Sequence, residues 1–129
     1  MIASAYRSSA DQKELYDLYM TTRGQAFTQQ HVAEPGSSEH QTGMSIDVST
    51  LTNTCLSDSD TCTLQPQDIL WVEENAPRYG FIQRYPSGKQ SITGINGEQW
   101  HYRYVGVALA QFLTKHKLTL DEFVEQTKL

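Results

Sequence analysis

No stretch of this sequence approaches the ~18 consecutive apolar residues that a bilayer-spanning helix needs, and no charged start followed by an apolar run marks a leader. Basic residues are scarce too: ten Lys and Arg stand against fifteen Asp and Glu, a formal charge of −5, and they form no run. A chain without a basic patch is a poor partner for nucleic acid or anionic membrane surfaces. Only two cysteines occur, Cys55 and Cys62, in CLSDSDTC. Zinc from this pair alone is disfavoured, since structural sites want closer spacing and two further ligands. A disulfide closing a small loop outside the cytoplasm is the expectation, two inert thiols the alternative. Four prolines, eight glycines, 38% hydrophobic and 19% charged residues rule out a collagen-like repeat, a coiled coil and a disordered tail. What is left is an ordinary soluble globular composition, and 129 residues suit one domain over residues 1–129.

The chain alternates like a strand from Met1 to Tyr6 without lead-in, so the natural protein is expected to begin further upstream, with any signal or anchor outside this sequence. Ser9-Ala10-Asp11-Gln12 has the form of a capping box and opens a helix over about 9–23, stopped by Gly24. Polar, turn-rich sequence to about residue 43 predicts a long loop, with a strand over residues 44–48. Residues 50–64 read as a surface excursion held by the cysteine pair. QPQDILWVEENAPRYG predicts a helix with Pro66 in its first turn, Ile69, Leu70 and Val72 facing inward, and Gly80 past its end. A strand over 81–85, a turn, an aromatic strand over 100–105, a helix over 106–116 and a T-x-x-E box at Thr119 complete the reading. Strands that lie close together without helical crossovers argue for an α+β fold, with a small, mainly antiparallel sheet packed with helices.

Two of the four histidines have chemical company. His31 is expected to be a solvated loop residue, and His116 sits between two lysines near a helix end, where a cation suits the dipole. His40 and Asp47, seven residues apart, would lie roughly 23 Å apart along a straight strand; they meet only if the chain turns, and Gly43 allows that turn. Asp47 interrupts a core-seeking Met-Ser-Ile-Asp-Val strand, which is costly unless it is paired or metal-bound. An Asp facing water at a strand end and an ordinary loop His remain the alternatives. Gly97-Glu98-Gln99-Trp100-His101 adds a second histidine with a carboxylate three residues before it. Two His and one Asp are a three-ligand set of the kind that catalytic zinc uses, and Glu98 would then be a base beside it. A surface Glu and a strand His are the competing reading, and a non-haem iron triad is a third, disfavoured by the six residues between His40 and Asp47.

The segments SSEHQTGMSIDV and GEQWHYRYVG resemble the zinc-dependent D-alanyl-D-alanine carboxypeptidases of the VanY type, whose signature is S-x-H-x-x-G-x-x-x-D followed by E-x-W-H. SAYRSSADQ and WVEENAPRYGFIQRYP are similar to the same family, so the resemblance runs from Ala5 to about Gly106. It implies a D-Ala-D-Ala carboxypeptidase/hedgehog-like zinc peptidase fold. It also implies zinc ligands at His40, Asp47 and His101, a catalytic base at Glu98, and Arg7 holding the substrate and the developing oxyanion. Gln12 and Ser38 match positions that help bind the terminal carboxylate and D-alanine, although Gln12 also has a claim as the cap partner of Ser9. Gln99 departs from the family's usual proline, a matter of backbone shape. The implied reaction removes C-terminal D-alanine from peptidoglycan stem peptides outside the bacterial membrane; the chain is expected to be a monomer. The alternatives are an L,D-carboxypeptidase acting on tetrapeptide stems and a zinc-retaining binding module without turnover.

Overall fold

The computed structural model describes residues 1–49 and 65–128; the Cys55–Cys62 pair and the expected surface excursion lie outside them. Four strands, β1 (Ile2–Ser4), β2 (Ser45–Val48), β3 (Phe81–Tyr85) and β4 (Glu98–Tyr104), form one antiparallel sheet in the order β1-β2-β4-β3. This is the α+β architecture the sequence predicts.

Among the described residues six α-helices accompany the sheet: α1 (Ser9–Thr22), α2 (Gln25–His31), α3 (Pro66–Asn75), α4 (Gln90–Thr93), α5 (Val107–His116) and α6 (Leu120–Thr127). The first begins where expected but not with the expected cap. Ser8, in extended conformation, accepts from Asp11 N through its hydroxyl, and the Asp11 side chain returns to Ser8 N. A capping box one residue earlier leaves Gln12 unused by the helix end and wholly buried. The loop expected over 24–43 contains α2 and a 3-10 turn at Glu39–Thr42. The seven residues of α2 carry Gln and Thr rather than an apolar stripe, and for that reason their periodicity is silent. In α3, Pro66 takes the first turn and Ile69 is buried, but Leu70 is exposed, against the expectation. The helix continues as a 3-10 turn (Ala76–Tyr79) that ends on Gly80 in the left-handed conformation.

Ile82 of β3, with Ala110 and Leu113 of α5, forms the buried core, and Leu118, Leu120 and Phe123 pack against it from the α5–α6 connection and α6. The T-x-x-E box is present as predicted: Thr119 Oγ1 accepts from Glu122 N at 3.1 Å, and Glu122 Oε2 accepts from Thr119 N at 2.7 Å.

Side chains alternate across a sheet, and the register Ser45↔Arg103, Asp47↔His101 and Ile82↔Arg103 puts Asp47, His101, Arg103 and Ile82 on one face. Arg84, two residues after Ile82, belongs to that face as well. Between β3 and β4 the register jumps from Gln83↔Tyr102 to Tyr85↔Glu98, four residues of β4 against two of β3. An irregularity of this kind re-aims side chains; here Glu98, Trp100 and His101 all line one cavity instead of alternating.

Candidate metal centre

Asp47 and His101 meet because they are directly paired across β2 and β4. His40 arrives by the turn that Gly43 makes possible. The 3-10 turn carrying His40 ends on Gly43 at φ +69°, a backbone value that side-chain-bearing residues rarely adopt, and β2 starts two residues later. Space is not the constraint, since a Cβ at Gly43 would meet only the Tyr6 ring at 3.9 Å.

The three side chains then share one centre. His40 Nε2 lies 3.1 Å from Asp47 Oδ2, and His101 Nδ1 lies 3.0 Å from Asp47 Oδ1. One potential ligand atom from each falls within 4.8 Å of the others. The imidazoles meet edge to face with centroids 5.0 Å apart. Each is oriented from its far nitrogen: His40 Nδ1 is 2.7 Å from the Ala5 carbonyl and can only donate there, which leaves Nε2 as a lone-pair donor. His101 Nε2 is 3.3 Å from Glu39 Oε2, which leaves Nδ1 facing Asp47. Both rings are buried. Burial alone would raise the Asp47 carboxyl, but hydrogen bonds and charge from His101 and His40 hold it down to about 2. Two imidazole nitrogens and a carboxylate converging on one point fit a single divalent ion of the zinc type.

Glu98 lines the same cavity, and burial pushes its carboxyl up. Arg7, just after β1, also borders it. Its Nη1 donates to Gln12 Oε1 at 2.8 Å and its Nη2 to Ser4 Oγ at 3.1 Å, both neutral partners. Gln12 in turn donates from Nε2 to the Ala33 carbonyl at 2.7 Å. Gln12 is thus tied to Arg7 and not to the helix cap. Ser38 is buried at the head of the 3-10 turn and lines the cavity, and its hydroxyl does not cap that turn. The cavity encloses about 620 Å³. Its outer wall includes Gln29, His31 and Val32 of the unforeseen α2 region, so His31 is not a solvated loop residue, against the expectation. Sequence reasoning also missed Glu39, Arg84 and Tyr85. Tyr85 stacks on His101 at 5.3 Å between centroids, and the only signal for Glu39 was its place beside His40 in SSEHQTG.

Two imidazoles and a carboxylate in a cavity, with a half-buried acid on its wall, are the donor set of a mononuclear metal site of the hydrolytic class. The family model "VanY: D-alanyl-D-alanine carboxypeptidase" matches residues 1–107, and the chain belongs to that family. It is 41% identical over 126 residues to the putative carboxypeptidase YodJ of Bacillus subtilis (strain 168), covering 97% of this chain and 45% of the relative. It is 40% identical over 125 residues to the bifunctional D-Ala-D-Ala dipeptidase and D-Ala-D-Ala carboxypeptidase VanXYC of Enterococcus gallinarum, covering 95% and 64%. The chain therefore spans roughly half to two-thirds of the length of these relatives.

Among solved structures, the D,D-dipeptidase VanXYg with a D-Ala-D-Ala phosphinate analog superposes with a TM-score of 0.87 at 34% identity, covering 99% of this chain and 51% of that one. A variant of the D,D-pentapeptidase VanY in complex with Zn(II) gives 0.78 at 33% identity, covering 96% and 70%. The L,D-carboxypeptidase LdcB gives 0.78 at 39% identity, covering 98% and 58%.

Proposed function

We propose that this chain is a single zinc carboxypeptidase domain that removes the C-terminal D-alanine of peptidoglycan stem peptides. The observation that carries the reading is the convergence of His40, Asp47 and His101 in a cavity that Glu98 and Arg7 also line. The family match and the Zn(II) complex of a relative support zinc as the ion.

Bound zinc would polarise the scissile carbonyl and bring the pKa of a coordinated water from 15.7 toward ~7. The chain's own residues supply the rest. Glu98, disfavoured as a charged group by its burial, takes the proton of the attacking water and passes it to the leaving D-alanine nitrogen. Arg7 presents a planar fork of donors for the terminal carboxylate and for charge developing on the carbonyl oxygen. No carboxylate among the described residues pairs with it, so its charge is available to a ligand. Gln12 holds the Arg7 fork in place, and Ser38 lies where a hydroxyl can bind the D-alanine end. The proposed state is a monomer working on peptidoglycan outside the bacterial membrane. No helix among the described residues is long and apolar enough to cross a membrane.

Cleavage of tetrapeptide stems is the second reading, supported by the 39% identity to an L,D-carboxypeptidase. Incubation of the zinc-loaded protein with purified penta- and tetrapeptide stems, followed by mass spectrometry, separates the two. Loss of one alanine from the pentapeptide alone is the expected result. Cleavage of the tetrapeptide alone transfers the assignment to the L,D class, and cleavage of neither defeats the peptidase reading in favour of a binding module.

A further inference from the structure

Glu39 is the hub of a charged network beneath the metal centre. Its Oε2 is 3.3 Å from His101 Nε2 and accepts from Ser45 Oγ at 3.2 Å. Its Oε1 accepts from Arg84 Nε at 2.9 Å and lies 3.8 Å from Arg103 Nη1. Arg84 turns its two remaining nitrogens to Asp121, with Nη1–Oδ2 and Nη2–Oδ1 separations of 2.5 and 3.1 Å. Its guanidinium also lies over the Tyr85 ring, 4.7 Å from the centroid, and that ring stacks on His101. The Arg84 and Glu39 side chains are 12% and 19% exposed, so the network is shielded from water.

We propose that Glu39, Arg84 and Asp121 are positioning residues that lock His101 for coordination, and that α6, beyond the family match, thereby belongs to the metal centre. The chain of cause is local. His101 can offer Nδ1 to an ion only if its proton sits on Nε2; carboxylates face both nitrogens, Asp47 at 3.0 Å and Glu39 at 3.3 Å, and once an ion takes Nδ1 and Asp47, Glu39 is the group left to hold the Nε2 proton. Glu39 could swing toward solvent or toward Arg103. The three-way fork of Arg84 prevents this because one guanidinium holds Glu39 through Nε and Asp121 through both terminal nitrogens. A lysine, a single point of charge, could not hold both carboxylates in fixed planes. Tyr85, pinned under the same guanidinium, fixes the face of the imidazole while Glu39 fixes its edge.

This inference rests on the zinc reading, and the experiment keeps the two apart. Zinc affinity is measured by competition with a chromophoric chelator for the wild-type chain and for E39Q, R84K, D121N and K89M. Metal-free melting temperatures are recorded in parallel, and kcat and KM are measured on the stem peptide. E39Q is expected to weaken zinc about 10–100-fold, and R84K and D121N should shift it in the same direction with KM within about twofold of wild type. K89M is the control, because it removes the 2.7 Å bond from Lys89 to Glu122 that also ties α6 down without touching Arg84. It should leave zinc affinity unchanged even if stability falls. D121N is the gentlest probe, a shape-conserving change on a side chain 31% exposed in the first turn of α6, and it decides the matter should E39Q or R84K fail to fold. Wild type that binds zinc, with D121N binding it equally well, overturns the positioning role. So does K89M weakening zinc as much as D121N does. Wild type that takes up no zinc overturns the metal reading itself.

Discussion

Arg7 is held by two neutral oxygens, from Gln12 and Ser4, and this arrangement keeps a cation ready without neutralising it. Replacing Arg7 with Met should raise KM for the stem peptide and lower kcat, costing about 10–150-fold in kcat/KM, because hydrogen bonds to charged groups contribute about 1.5–3 kcal/mol. Q12A should act through Arg7: a smaller loss in kcat/KM, near zero when made in the R7M background, as a double-mutant cycle of activities would reveal. At this scale the proposed metal ligands were half legible: an Asp in an apolar strand and a His among aromatics left a ligand set and its bland alternatives open, and the family resemblance chose between them. Gln12 was only half legible. S-x-x-Q fits a capping box as well as a site, and the competing Ser8–Asp11 box, formed in the structure, is invisible until the backbone fixes which serine leaves the helix. Glu39 was missed because its contact with His101 spans 62 residues of sequence.

Turns and caps decide how the elements present these residues. Gly80 ends the α3 extension at φ +86°, and a Cβ there would lie 2.6 Å from the Tyr104 ring and 3.1 Å from backbone atoms of Gly106 and Val107. G80A should therefore destabilise the fold by about 3 kcal/mol, combining left-handed strain with overpacking, as a chemical denaturation midpoint would report. The α6 cap supplies a pH test. Lys89, then the Thr119 backbone, hold the Glu122 carboxyl below its usual 4.5. A group with a depressed folded pKa adds stability above its unfolded value and loses it as pH falls through the folded one. E122Q keeps a capping side chain but removes the titration. The stability gap between wild type and E122Q should be present at pH 6 and shrink as the pH drops below about 4.5, whereas a gap that holds constant into acid would refute the linkage. The strands, α1, α3, α5 and α6 were readable from alternation, caps and Gly80. The short α2 was not: its seven residues, with only Ala26 and Phe27 apolar, leave the wall of the cavity without a periodic signal. The β3–β4 irregularity was equally hidden, since strict alternation would have sent Glu98 and His101 to opposite faces.

At the scale of the molecule, the sheet serves two ends at once. One face carries the donor cluster and also Ile82, which is buried with Ala110 and Leu113 of α5. The family match stops at residue 107, yet Ala110 and Leu113 of the core and the Asp121 partner of Arg84 all lie beyond it. Truncation after residue 106 should leave the chain without cooperative unfolding, and L113A should cost about 2–5 kcal/mol.

The central claim is that three side chains bind one ion while Glu98 moves the proton. Metal content and D-alanine release, measured together on wild type and E98Q, test it most directly. The account predicts one zinc per chain in both proteins, with D-alanine release from the stem pentapeptide falling at least 100-fold in E98Q. Undiminished release by E98Q, or a wild-type chain that binds no zinc, would contradict it.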